Sequence, residues 1–162
     1  MAWIRWVRQS VHASCFALAT LFATASIAHA QVPLIVVSVT ELDFGKLMGS
    51  ASGGTVNLTD GGVRTTSGGV TGVDLDYFAV EIEIMGTPNA KYVFDEPRKV
   101  PLAHPTGGAS IEIRAVDCNP NKRGTLDTTG RATIRCGGAL VVPASPLAGL
   151  YASTVFIDFD YK

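Results

Sequence analysis

The chain has 162 residues, 47% of them hydrophobic and 17% charged, and its 13 Lys+Arg against 14 Asp+Glu give a formal charge of −1. That balance offers no basic excess for a nucleic-acid partner, and no basic amphipathic segment suits a membrane surface.

Residues 1–30 read as a secretory signal peptide. Arg5 and Arg8 form a positive n-region, Ala13–Ala28 is a small apolar core, and Ala28-His29-Ala30 supplies an A-x-A cleavage site before Gln31. A membrane anchor is the alternative, but the stretch is short and alanine-rich for a spanning helix. Cys15 follows His12-Ala13-Ser14, a poor context for lipid attachment. The product is expected to be exported through the periplasm. Without Arg5 and Arg8 the 13 Lys+Arg become 11 against 14 Asp+Glu, a formal charge of −3. The remaining 31–162 suits one domain with a real core.

Gln31–Thr40 carries apolar residues on both faces of an extended chain, Val32, Leu34 and Val36 on one and Ile35, Val37 and Val39 on the other. It is either a first strand buried in the core or a detachable strand that docks into another molecule. Pro33 suits an edge or inserted role better than a central one.

No helical periodicity follows. Strands are predicted at Leu34–Phe44, Gly54–Leu58, Phe78–Met85, Lys91–Phe94, Ser110–Val116, Arg131–Cys136, Ala139–Val142 and Ala152–Tyr161. Turn signals include Asp60-Gly61-Gly62, Pro88-Asn89, Asn119-Pro120-Asn121 and Cys136-Gly137-Gly138, while Ser50–Gly54 and Thr65–Gly72 read as Gly/Ser/Thr-rich loops. Phe78, Val80, Ile82 and Ile84 alternate with Glu81 and Glu83, as in a sheet with one wet face. The fold class is therefore all-β, an immunoglobulin-like antiparallel sandwich, with a closed barrel as the alternative.

After removal of the first thirty residues two cysteines remain, Cys118 and Cys136. In an exported protein an even count favours a disulfide. Their loop closure is worth roughly 3 kcal/mol. A metal site has less support, because His104 alone could join them.

No catalytic constellation assembles. Gly49-Ser-Ala-Ser-Gly53 has Ala51 where a nucleophile elbow needs serine, and there is no zinc helix, Walker loop or dinucleotide fingerprint. The pairs Asp74/Asp76, Glu81/Glu83 and Asp158/Asp160 each lie on one face of a strand, as on the wet side of a sheet. Asp74/Asp76 is the best calcium candidate, but two carboxylates are too few to fill the shell. Asn57-Leu58-Thr59 has the form of a glycosylation sequon. The expectation is no enzyme, no metal and no cofactor.

The C-terminal TVFIDFDYK places Val155, Ile157, Phe159 and Tyr161 on one face, with Tyr161 second from last and Gly149 fourteenth from the end. Alternating apolar residues, a penultimate tyrosine and that glycine resemble the C-terminal signature of chaperone–usher pilins. The chain is also similar to a family of bacterial secreted β-domains of poorly characterised function. Its shared motifs here are Phe44-Gly45, Gly54-Thr55-Val56, Gly137-Gly138-Ala139-Leu140 and Gly149-Leu150-Tyr151.

The pilin resemblance implies a sandwich at 42–162 that lacks its last strand, preceded by an extension or donor strand at 31–41. It implies a groove or chaperone-contacting strand at Gly149, Val155, Ile157, Phe159 and Tyr161. The implied donor residues are Val32, Leu34, Val36 and Ser38, or the opposite set Ile35, Val37 and Val39, with small Ser38 favouring the first. The partners it implies are neighbouring copies or related subunits, a periplasmic chaperone and an outer-membrane usher, in a fimbrium at the cell surface. A monomeric secreted binding or adhesion module is the other expectation.

Overall fold

The computed structural model describes residues 31–162, so the signal peptide read at 1–30 lies outside the described residues. The strands are β1 (Ile35–Val39), β2 (Leu47–Leu58), β3 (Arg64–Gly72), β4 (Val80–Met85), β5 (Lys91–Phe94), β6 (Val100–Leu102), β7 (Ile111–Asn119), β8 (Arg123–Thr125), β9 (Arg131–Val142) and β10 (Phe159–Tyr161). Every pairing is antiparallel, and no helix occurs among the described residues. A seven-stranded sheet runs β1-β4-β9-β2-β3, with β7 added on β9 and β6 on β7, and a three-stranded sheet runs β10-β5-β8. Two sheets form an all-β sandwich, as the alternation of Phe78–Met85 anticipates.

β9 organises the larger sheet. Its first half, Arg131–Cys136, pairs with β4, its second half, Gly138–Val142, pairs with β2, and Arg135–Val141 pairs with β7. The partner changes at Gly137. Cys136-Gly137-Gly138, expected to be a turn between two strands, is thus the middle of one strand. The physical reason is close approach and not chain reversal. A Cβ on Gly137 would overlap the Leu58 carbonyl oxygen, and one on Gly138 would press on Ala115 O and Ile113 Cγ2 at 3.0 Å.

Other boundaries also differ from the sequence expectation. Thr65–Gly72 is not a loop but most of β3, and Ser50–Gly54 is absorbed into β2. The hairpin turns at Asp60-Gly61-Gly62, where Gly62 N–H donates to Thr59 O and Thr59 N–H to Val63 O. Ser and Gly carry little strand signal and interrupt that of Thr, but the ladder is made by backbone groups that every non-proline residue owns. A register shift between Gly49 and Gly54 is accommodated by Gly53 and Gly68, at φ +64° and +72°. β6 and β8 are too short to show a period. Leu34–Phe44 shortens to β1, and Ala152–Tyr161 shortens to β10 plus an isolated Ala103–Ala152 bridge.

Two apolar cores result. The first gathers Phe44, Val56, Leu58, Val70, Ile113 and Leu140 among β2, β3, β7 and β9. The second lies between the sheets, with Ile82, Ile84 and Ile134 facing Tyr92 and Phe94. Burial pushes the Tyr92 phenol above its ordinary pKa. Cys118 and Cys136 form a disulfide within this core and are directly paired in the β7–β9 ladder. The wet face carries Glu81–Arg135 at 2.8 Å and Glu83–Arg131. Its position explains the alternating carboxylates without any chemistry.

Gly137→Ala is expected to lower stability by about 1–3 kcal/mol through overpacking at the crossover. Gly61→Ala, whose added methyl would meet only Thr59 Oγ1 at 3.7 Å, is expected to change the urea midpoint little by comparison.

Candidate strand-docking edge

β1 sits at one end of the larger sheet's strand order and β10 at one end of the smaller sheet's. Each therefore keeps an unpaired backbone edge. Val36 pairs with Ile84 and Val39 with Ile82, the two β4 residues buried in the second core. Val36 and Val39 share that inward side, yet they remain 47% and 61% exposed. The three-stranded sheet does not reach over them.

The β1 ladder shifts register between Val36 and Ser38, so Val37 is an extra residue on β1. Simple two-residue alternation fails at that point. Ser38 pairs with Glu83 on the wet side, its hydroxyl 3.5 Å from the carboxylate, whereas Val36 lies inward. Val32, Leu34, Val36 and Ser38 therefore do not form one continuous face. Leu34 packs on the second core, and Val32 is 48% exposed.

On the other side, Phe159 pairs with Phe94, Asp160 with Val93 and Tyr161 with Tyr92. The Phe159 and Phe94 rings are 5.4 Å apart. Ile157, Phe159 and Tyr161 are half-buried against the second core, while Val155 is 42% and Phe156 87% exposed. Residues 153–158 join no ladder.

Tyr161 ties the two segments together. Its hydroxyl donates to Val32 O at 2.5 Å and accepts from Thr87 N–H at 2.7 Å, while Val32 N–H donates to Thr87 Oγ1 at 2.9 Å. A crevice of about 330 Å3 lies there, lined by Gln31–Leu34 and Phe159–Tyr161. A second opening, about 530 Å3, borders the first core and is lined by Leu42–Gly49 and Pro146–Tyr151 among others. The two openings share no lining residue. A strand entering beside β10 could pair its backbone with that free edge and cover Val36 and Val39.

Gly149 lies at the second opening. It has φ +149°, and a Cβ there would overlap His104 Nε2. His104 is itself engaged: Nε2 is 3.2 Å from Ala148 O, Nδ1 is 2.8 Å from Thr106 Oγ1, and the ring lies 5.1 Å from that of Tyr151.

The sequence reading did not single out Arg64. Its side chain, only 7% exposed, pairs with Asp74 at 3.3 Å, donates to Phe44 O at 2.8 Å and stacks 4.1 Å over the Tyr77 ring. Asp74, weighed as a calcium ligand, also accepts the Lys46 N–H at 3.0 Å from both carboxylate oxygens. Among the described residues no group of three or more His, Cys, Asp or Glu could hold a metal. A lone arginine in a Ser/Thr-rich run gave no warning of this role, because its partners lie in separate loops.

The chain belongs to the family described as Domain of unknown function (DUF4402), which matches residues 34–161. No curated protein and no solved structure matches it.

Tyr161→Phe is expected to cost about 1–2 kcal/mol, since Thr87 N–H and Val32 O lose their shared partner. Hydrogen exchange should quicken at Thr87 N–H, and an unchanged rate there would show that the hydroxyl does not hold the two segments.

Proposed function

We propose that this DUF4402 chain is a structural subunit of a bacterial surface fibre, exported through the periplasm and assembled by strand addition between neighbouring subunits. A periplasmic chaperone and an outer-membrane usher act as its transient partners. The observation that carries this reading is the pair of free edges at β1 and β10, with Val36 and Val39 exposed on the side that faces the core.

An inserted strand satisfies the backbone groups of the β10 edge and removes apolar surface from water. Covering each valine contributes at most about 1.5 kcal/mol, given that each is already half covered. The donor is a segment of the kind at Gln31–Thr40, which holds no charged residue. Ile35–Val39 is exposed at every position, so leaving β4 forfeits mainly backbone hydrogen bonds. Head-to-tail repetition of such a contact gives an open fibre and not a closed ring.

A second reading is a self-sufficient secreted sandwich acting as a binding or adhesion module. The β1–β4 ladder, closed within one chain, favours it. Two preparations separate the readings, the chain 31–162 and the chain beginning at Leu42. The fibre reading expects the longer chain to form concentration-dependent oligomers in sedimentation. It also expects the shorter chain to remain monomeric and to gain thermal stability from a Gln31–Glu41 peptide added in trans. A longer chain that stays monomeric at every concentration, with a shorter one indifferent to the peptide, overturns it.

Substitutions address the β10 edge directly. Phe159→Asp is expected to abolish folding or assembly, with a cost of about 3 kcal/mol or more from burying a carboxylate against Phe94. Asp158→Asn should leave both sedimentation and melting within experimental scatter, as suits an exposed position.

A further inference from the structure

The 530 Å3 opening at the first core differs in kind from an open strand edge. Its floor is formed by Leu102, Ile113, Leu140 and Val142, and its roof includes Pro146 and Leu147. The roof is pinned at both ends. Ser145 N–H donates to Ser50 O at 3.0 Å, and Ala152 exchanges backbone bonds with Ala103 at 3.0 and 3.2 Å. Between those ends Tyr151 Oη donates to Leu147 O at 3.2 Å, and His104 sits against Ala148 and Gly149. The segment that an incoming strand would have to lift is thus already held. What remains is a preformed apolar pocket of the size that small molecules occupy.

Its charged side chains are Asp43 and Lys46. Lys46 is the one cation in the lining, and among the described residues its ammonium has no carboxylate within 4.0 Å. Asp43, the one carboxylate in the lining, and the nearby Asp74 both accept other donors. Asp43 Oδ1 accepts Gly45 N–H at 2.7 Å, and Asp74 is taken by Arg64 and the Lys46 backbone. An exposed cation beside an apolar hollow matches a molecule with an apolar body and an anionic end. At roughly 30 Å3 per water-sized group, the volume admits on the order of fifteen heavy atoms. That accommodates one aliphatic chain and not the two of a phospholipid.

We propose that this cavity binds a single-chain amphiphile with an anionic head, of the chemical class of a free fatty acid. The tail lies on Ile113, Leu140 and Val142, and the carboxylate meets Lys46. This site is independent of the β1 and β10 edges and stands or falls without the fibre reading.

The test is calorimetric titration of the chain 31–162 with dodecanoate below its micellar concentration, with dodecyltrimethylammonium as the opposite-charge control. Saturable one-to-one binding of dodecanoate is expected, with weaker binding of the ammonium compound. Lys46→Glu should weaken dodecanoate by about fivefold or more, as loss of a surface ion pair and gain of a repulsion require. Leu147→Trp, a substitution in the roof at a position already half exposed, should block binding while melting stays unchanged. Absence of dodecanoate binding overturns the proposal. So does equal affinity for both head groups with no effect of Lys46→Glu, or displacement of dodecanoate by the Gln31–Glu41 peptide.

Discussion

The backbone contact at Gly137 is the constraint on which the rest of the sandwich depends. One long strand, β9, must lie against β4 over its first half, against β2 over its second, and against β7 along its other edge. Three strands can converge there only if no side chain occupies the point where Leu58 O approaches. The crossover joins the two cores through continuous backbone hydrogen bonds, so neither packs independently of the other. Arg64 plays the matching role at the periphery, gathering Phe44 O, Asp74 and Tyr77 where the loops would otherwise leave polar groups unpaired.

The mismatch between the sheets follows from the same arrangement. Seven strands on one side face three on the other. The narrow sheet covers β4 and β9, where Ile82, Ile84 and Ile134 are buried, and leaves β1 uncovered. An exposed apolar edge strand invites pairing, and proteins that avoid it place lysine, proline or a bulge there. β1 has a bulge at Val37 and nothing else of that kind between Ile35 and Val39. The fibre reading takes this weakly guarded edge as functional.

Much of the fold was legible because one physical signal, alternation, survives wherever a sheet has one wet face. Phe78–Met85 and Lys91–Phe94 carry that signal, and β4 and β5 follow it closely. Residues 64–72 and 50–54 were not legible, since apart from Arg64 and Val70 they are Gly, Ser, Thr and Ala, while the ladder is made by backbone. The glycines of Cys136-Gly137-Gly138 were misread for a related reason. Glycine marks both chain reversal and close approach, and sequence alone does not distinguish them. At the docking edge, the apolar character of Gln31–Thr40 was visible but its facing was not, because one extra residue at Val37 reverses the parity of all that follows. Arg64 and the apolar cavity escaped notice entirely, being assembled from segments distant in sequence.

The disulfide has a consequence beyond loop entropy. Cys118 and Cys136 are partners in the β7–β9 ladder, one residue before the pair Gly137-Gly138. A glycine pair has no side chains to resist sliding, so this is where the ladder is least able to choose among neighbouring alignments. The covalent bond makes that choice, because only one alignment brings the two sulfurs together. The bond therefore holds the β7–β9 alignment that both cores share.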